Sequence, residues 1–433
     1  MMFKTVTIFI AAFTFFNNST AQTFFVKQQQ QHFTINNKPY HFIGANMWYA
    51  TLLAMPDEKG GNRKRLLQEL DFLQQQGITN LRILIGAQGE KKLVNGINPV
   101  HPALQLGPGK YNDAILEGMD FLLQQLEKRK LYGVFFFSNN WEWSGGFLQY
   151  LNWHNKIDDT TLAKKYSWDE NRDLTSKFYS CNECMEDYRG FVKMILHRTN
   201  TITGRKYINE PAIMAWEIAN EPRPMRPYVI EAYKKFLQQT SALIKKEDPN
   251  HLLTLGVEGY MGTENIALFE TIHRDKNVDY ATIHIWPKNW SWYSDSTFKK
   301  DFDNVVQKTG EYIKVHEAVM TKINKPLVVE EFGLPRDDFS FSPQSSVVYR
   351  NKYYESVLQY LVKSEKINSP VAGINFWAMG GFGKPAKNKT PFWKEGDDLL
   401  GDPPMEEQGL NAVFSSDDST WNLFRKYKGF LKR

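Results

Sequence analysis

Residues 212–222 read AIMAWEIANEP. The first seven are apolar but for Glu217, a run whose length suits a buried strand. The polar Asn220-Glu221-Pro222 then stands where a strand gives way to a loop. Short β-branched or aromatic runs of the same kind recur at 41–45, 80–85, 131–138, 251–256, 279–284, 326–330 and 371–377, which with 212–218 makes eight. Longer amphipathic stretches separate them, the clearest at 63–76, 115–130, 185–199, 228–246, 309–321 and 349–363, and 421–431 closes the chain. Strands that alternate with helices build a parallel sheet, and eight of them suggest an α/β fold of the (β/α)8 TIM barrel kind. An open doubly wound sheet is the other arrangement, but no glycine-rich phosphate loop follows the first strand. No low-complexity linker or break in composition divides the chain, so a single domain from residue 22 to 433 is expected.

Composition narrows the functional classes. Of 433 residues, 42% are hydrophobic and 23% charged, enough apolar material for a full core and not the profile of a disordered chain. The net charge of +5 is modest for this length, and no Lys/Arg cluster interleaved with stacking aromatics is present, which argues against nucleic acid as a partner. Lys4, the apolar run 6–16 and the small residues Ser19-Thr20-Ala21 form the pattern of a signal peptide cleaved after Ala21. That run is too short for a membrane span, which takes roughly 20 apolar residues, and no other segment looks transmembrane. A secreted or periplasmic monomer is expected. The two cysteines, Cys181 and Cys184, cannot complete a zinc site. In an exported chain a local disulfide bracing a loop is the preferred reading, with free buried thiols as the alternative.

The long connections, 86–111, 139–184 and 378–420, all follow the C-terminal ends of strands, the face on which barrels build their sites. Glu221 ends strand four, and Glu331 follows strand seven in Val328-Val329-Glu330-Glu331-Phe332-Gly333. Cutting a glycosidic bond needs one carboxyl to protonate the leaving oxygen and a second to attack or to activate water, so two facing glutamates are the minimum equipment.

Asn220-Glu221-Pro222 together with Glu331-Phe332-Gly333 resembles the clan A retaining glycosidases, and within them glycoside hydrolase family 5. The stretches INEPAIMAWEIANEPR (208–223), ATIHIWPKNW (281–290) and GDPPMEEQGLNAVF (401–414) are similar to its endo-β-1,4-mannanase subfamily. The resemblance runs from about Phe25 to the C-terminus. It implies a retaining endo-β-1,4-mannanase that cuts mannan, glucomannan or galactomannan by double displacement, with Glu221 as acid/base and Glu331 as nucleophile, and with no metal or other cofactor. Arg82, inside the apolar strand 80–85, is implied beside the nucleophile, and Asn220 is implied on the sugar 2-hydroxyl. His284 and Trp286 end strand six, Trp286 standing where the family carries a tyrosine. Its indole N–H donates but cannot accept. Trp377 matches the platform beneath the sugar being cleaved, and Trp141, in NNWEWSGG (139–146), matches a loop on the non-reducing side.

Neighbours in a strand point to opposite faces, so only one of Glu330 and Glu331 is expected to face the site, and the family pattern selects Glu331. Glu142 and Glu258 are read as rim carboxylates. The mechanism requires Glu221 protonated and Glu331 ionised near neutral pH, so their surroundings are expected to separate the two pKa values. An exo-acting β-mannosidase, a β-1,4-glucanase, a transglycosylase using Trp290 or Trp292 at an acceptor site, and an inactive carbohydrate-binding protein are the alternatives. The last predicts loss of a glutamate, and both are present.

Overall fold

The computed structural model describes residues 25–90, 92–385 and 392–431. The expected signal peptide, residues 1–21, lies outside them. Eight parallel strands form one sheet: β1 Phe42–Asn46, β2 Asn80–Leu84, β3 Tyr132–Asn139, β4 Ile213–Asn220, β5 Leu252–Thr254, β6 Ala281–Ile285, β7 Leu327–Phe332 and β8 Val371–Phe376. Each lies within two residues of its expected span. They neighbour one another in the order β5-β4-β3-β2-β1-β8-β7-β6. That order is cyclic, and the ring closes between β5 and β6 through isolated bonds, not a ladder. Asp279 N donates to Leu253 O at 2.9 Å and His284 N to Glu258 O at 3.0 Å, while the Thr282 hydroxyl donates to Val257 O at 2.9 Å.

Eight helices complete the βα units: α1 Arg63–Gln75, α2 Asp113–Arg129, α3 Asn182–His197, α4 Ile230–Glu247, α5 Ile266–His273, α6 Phe298–Ile323, α7 Val348–Ile367 and α8 Asp418–Lys428. Helix α5 was not anticipated, because its eight residues IALFETIH are too few and too apolar to show a stripe. Helix α6 begins at Phe298, well before the expected 309. Phe298, Phe302, Val305 and Thr309 extend its buried face at helical spacing. No described helix is long and apolar enough to cross a membrane.

A three-stranded antiparallel sheet, Val26–Gln29, His32–Ile35 and Lys38–Pro39, precedes the barrel. Its second turn uses Asn36 and Asn37, both at positive φ, the conformation a tight hairpin asks for. Val26 and Phe33 pack with Phe42, Val134, Met214, Leu252, Tyr280, Val328 and Ala372 from the N-terminal ends of the barrel strands, so this sheet plugs the bottom of the barrel. The opposite face is left open for the long loops. Within the longest of them Phe178 stacks on Phe147 at 4.2 Å, and Cys181 and Cys184 form the local disulfide at the start of α3.

Two buried histidines hold the outer layer beneath the site. His316 Nδ1–H donates to Tyr312 O at 2.7 Å, and its Nε2 accepts from Tyr260 N at 2.9 Å. A second proton on that ring would face an N–H, so the ring stays neutral, and burial lowers its pKa to about 4. His273 donates to Phe269 O and is lowered by burial to about 3. Both folded values lie below the roughly 6.5 of an unfolded chain, so folding is favoured most above pH 6.5 and stability is lost as pH falls through the interval beneath it. Each imidazole should remove about 2 kcal/mol between pH 7 and pH 5. Urea unfolding at the two pH values checks this: His316→Gln should be less stable than the parent at pH 7 but show the smaller loss on acidification.

Candidate active site

Glu221 is the first residue beyond β4, and its backbone is left-handed, with φ of 52°. A non-glycine residue holds that conformation only where its surroundings enforce it. Here Glu221 N donates to Gly256 O at 2.9 Å. Gly256 itself has φ of 79°, and a Cβ there would lie 2.0 Å from Ala219 O, so only glycine lets β5 approach closely enough to fix the turn. Glu331 belongs to β7, whose pairing with β6 slips by one residue: Ile283 opposes Val329 and His284 opposes Glu331. The bulged residue is Glu330. The regular alternation therefore fails at this point: both carboxyls turn into the barrel interior toward Arg82, but only Glu331 lines the cavity described below, as expected, and Glu330 lies beneath it.

Arg82 explains what the two inward carboxyls meet. It is fully buried in β2, and its guanidinium engages Glu217 through Nε at 3.0 Å and Nη2 at 2.6 Å. Nη1 bonds Glu331 Oε1, Nε lies 3.3 Å from Glu330 Oε2, and Nη2 also donates to Asn220 Oδ1 at 2.7 Å. The expected partner Glu331 is thus one of three. Glu217, not singled out from the sequence, takes the bidentate bond, the stronger geometry for a buried charge. Asn220 is oriented at both ends, since its Nδ2 donates to Asn139 Oδ1 at 3.1 Å.

Around Glu221 and Glu331 the hydrogen-bond partners differ in kind. Glu331 Oε2 accepts from the Trp286 indole at 3.0 Å and Oε1 from Arg82, two groups that only donate, and His284 Nδ1 stands farther off, 3.5 Å from Oε2, a setting that suits a carboxylate. Glu221 Oε2 accepts from the Trp141 indole at 2.5 Å, but its Oε1 lies 2.6 Å from His284 Nδ1, which can accept a proton. Burial raises both carboxyls above the ordinary glutamate range, and the neighbouring charge of Glu221 raises Glu331 further. Burial therefore does not separate the two as expected. What differs between them is the partners, since Glu221 alone has an imidazole nitrogen at hydrogen-bonding distance that can accept a proton. Burial also keeps His284 neutral, with Arg82 acting in the same direction. One oxygen of Glu221 and one of Glu331 fall within 4.8 Å of each other. His284 joins them in the one group of three metal-binding side-chain types that meets at such distances among the described residues, and all three are already engaged by hydrogen bonds.

A cavity of about 590 Å³ opens above the pair. Trp141, Trp286, Trp377, Asn220, Glu221 and Glu331 all line it, as the sequence suggested. Trp377, joined to Ala378 by a cis peptide bond, stands edge-on to Trp286 at 5.9 Å with its indole N–H unpartnered. Arg82 and His284 lie beneath, at 0% exposure. Trp290 reaches the cavity, whereas Trp292 and Trp48 do not; the Trp48 indole is spent on Gly401 O. Glu142 and Glu258 are not rim residues. Glu142 is buried in its loop against Asn95, and Glu258 sits in the cavity wall, bonded to Arg223 by both oxygens. Sequence reading also passed over Arg223, which lies over the Trp141 ring at 5.0 Å, and over Trp168 and Glu406. Burial pushes Glu406 up to about 8.

Two carboxyls this close, set by two strands on the C-terminal face of a barrel and walled by tryptophans, define a glycoside hydrolase. Residues 23–433 match the family model described as glycoside hydrolase family 5 β-mannosidase-like, and the chain belongs to that family. It is 25% identical over 365 residues to mannan endo-1,4-beta-mannosidase 5 of Arabidopsis thaliana, covering 80% of this chain and 77% of that one. Its structure is similar to that of a family 5 mannosidase from Rhizomucor miehei, with a TM-score of 0.84, 29% identity, and 94% and 97% of the two chains covered. An endo-1,4-beta-mannanase of the same fungus shares the fold, with a TM-score of 0.65 and 22% identity over 94% and 98%.

The Trp286 indole donates to Glu331 Oε2 at 3.0 Å, and a hydrogen bond to a charged group is worth roughly 1.5–3 kcal/mol. Trp286→Phe should therefore lower kcat/KM roughly 10- to 150-fold. Trp286→Tyr, which restores a donor, should recover part of the loss.

Proposed function

We propose that the chain is a retaining endo-β-1,4-mannanase, with Glu331 as nucleophile and Glu221 as acid/base. The observation that carries this is the approach of the two carboxyls to within 4.8 Å in the wall of one tryptophan-lined cavity. Retaining enzymes hold the two groups roughly 5–5.5 Å apart, whereas inverting enzymes need about 6.5–9.5 Å to admit a water. Glu331, ionised between Arg82 and Trp286, attacks the anomeric carbon as Glu221 gives its proton to the leaving oxygen. Water then enters from the vacated side, Glu221 takes its proton, and the glycosyl-enzyme is cleaved with the configuration restored.

An internal cut in a polymer needs room on both sides of the bond. The central cavity shares Trp168, Arg223 and Met261 with a smaller one of about 200 Å³, and Trp286, Asn289, Met405 and Glu406 with another of about 320 Å³. The shared walls place one of them on each side of the central cavity. Because Trp141 bonds the acid carboxyl and continues into Arg223 and Trp168, we place that end with the leaving group, not on the non-reducing side that the sequence suggested. Mannan as the substrate follows from the family and from the activity carried in the name of the Arabidopsis relative. One observation favours a second reading, exo action from the chain end: the fold lies nearer the Rhizomucor mannosidase, at 0.84, than the mannanase, at 0.65. Export is proposed with the function, supported by the leader pattern at residues 4–21 and by the disulfide at Cys181 and Cys184. Sequencing the N-terminus of exported protein should begin at Gln22.

Linear β-1,4-mannan and carboxymethylcellulose should be digested side by side, with product lengths and anomeric configuration followed over time. Mixed short manno-oligosaccharides released with β-configuration support the proposal. Mannose alone selects the exo reading, and glucan cleavage or inversion overturns the substrate or the mechanism. Glu331→Ala should be inactive. Glu221→Ala should lose roughly 10²–10⁴-fold on polysaccharide. The rate should fall as pH drops through the value at which Glu331 protonates, above the ordinary glutamate range, and again as pH rises through the loss of the Glu221 proton.

A further inference from the structure

Glu330 is a buried carboxyl with no part in the scheme above, yet it touches the acid/base through one side chain. His284 lies between the two, its Nδ1 2.6 Å from Glu221 Oε1 and its Nε2 3.4 Å from Glu330 Oε2. Glu330 Oε2 is also 3.3 Å from Arg82 Nε. An oxygen that meets a guanidinium N–H and an imidazole nitrogen is placed to accept, so a proton on Glu330 belongs on its other oxygen; the Glu217 side chain is within hydrogen-bonding contact of the Glu330 carboxyl. The β7 bulge exists at this residue and delivers it to this spot.

We propose that Glu330 is a positioning residue: as a neutral carboxyl it accepts the His284 Nε2–H, fixes that tautomer, and so leaves the Nδ1 lone pair facing Glu221, which keeps the acid/base protonated. The proposal rests on the reading of Glu221 as acid/base and adds the group that sets its state. A carboxylate on Glu221 would face a lone pair at 2.6 Å, whereas a carboxylic acid donates into it. The charge inventory agrees. Glu330 is faced by Glu217, Glu331, Arg82, His284 and Tyr280, and burial, with the charge of Glu217 next, pushes it well above the glutamate range. Glu221 is faced by His284, Glu331, Arg223, Arg82, Glu258 and Glu406, and it too is raised by burial. Removing the acceptor at Glu330 would free His284 to turn its N–H toward Glu221, which stabilises the carboxylate and empties the acid of its proton at lower pH.

The test uses full-length enzyme and aryl β-mannobiosides with strongly and weakly acidic phenols as leaving groups, reading kcat/KM, which reports formation of the glycosyl-enzyme. A good leaving group needs no proton. Glu330→Leu should lose roughly 10- to 100-fold on the poor leaving group and little on the good one, with the alkaline limb of the pH profile shifted down by about one unit. Glu330→Gln mimics the neutral acid, its carbonyl accepting from His284 and its amide donating to Glu217, and should restore both the rate and the limb. An equal loss on both leaving groups, or a Gln variant as impaired as the Leu variant, overturns the proposal. Nitrogen-15 shifts of His284 in the wild type give a readout that does not depend on any variant folding: the Nε2–H tautomer is expected, and Nδ1–H overturns the proposal. Glu221→Ala measured alongside separates the two levels, since a loss there that ignores the leaving group overturns the acid/base reading itself.

Discussion

The site depends on one desolvated charge. Arg82 stands in the barrel interior at 0% exposure, where an unpaired guanidinium would cost several kcal/mol, so the fold must bring carboxylates to it. Glu217 from β4 and Glu331 and Glu330 from β7 answer that need, and Asn46 from β1 and Asn220 from β4 complete the shell through their side-chain oxygens. Three barrel strands are thus tied to one side chain of a fourth, β2. The register of each is thereby coupled to the others, and a residue at the end of any of them is held against the same reference point.

Local backbone departures serve the same end. Regular geometry would send Glu330 out of the barrel and Glu221 away from its partner. The bulge in β7 and the left-handed turn at Glu221 undo both, and each is enforced by a neighbour: the pairing slip at His284 in one case, Gly256 in the other. The ring is also unusual at β5 and β6, where single bonds replace a ladder. There the loop after β5 keeps the bond from His284 N to Glu258 O, and Tyr312 and His316 of α6 add to it by bonding Glu258 O and Tyr260 N. The wall that carries Glu258 and Arg223 is thus positioned from the outer helix layer.

These departures mark where sequence reading stopped. The eight strands were legible because buried parallel strands are short continuous apolar runs, and Glu221, Glu331, Trp141, Trp286 and Trp377 were legible because each lies at or just beyond a strand end in a stretch that matches the family's motifs. Glu217 was hidden by its place in the middle of the run AIMAWEI, where a lone glutamate gives no hint of which strand it pairs across. The inward turn of Glu330 was unreadable because a bulge has no periodic signal, and the alternation rule led the wrong way. Glu258 and Arg223, 35 residues apart in the chain, meet only through tertiary folding. The N-terminal sheet, in contrast, had a signal in Asn36-Asn37 between two short apolar runs that was not used.

Charge balance links this architecture to the chemistry proposed for it. Among the described residues, Glu217, Glu221, Glu258, Glu330 and Glu331 are packed with Arg82 and Arg223 to oppose them, while Glu406 beside Glu221 is pushed by burial up to about 8. With all five ionised the cluster would carry three uncompensated negative charges away from water, a state burial forbids. In the proposed scheme, protons on Glu221 and Glu330 reduce the excess to a single negative charge, carried by Glu331 below the anomeric centre. An oxocarbenium-like transition state develops positive charge at that point, so the cluster is matched to the transition state and not to a neutral sugar. When Glu331 forms its bond, its charge is consumed, and Glu221, having given up its proton, carries the negative charge in its place. The total is unchanged between the two steps, so the second transition state meets the same field as the first. A neutral Glu330 is what makes this count come out at one, because an ionised carboxyl there would place the extra charge beneath His284, out of reach of the sugar.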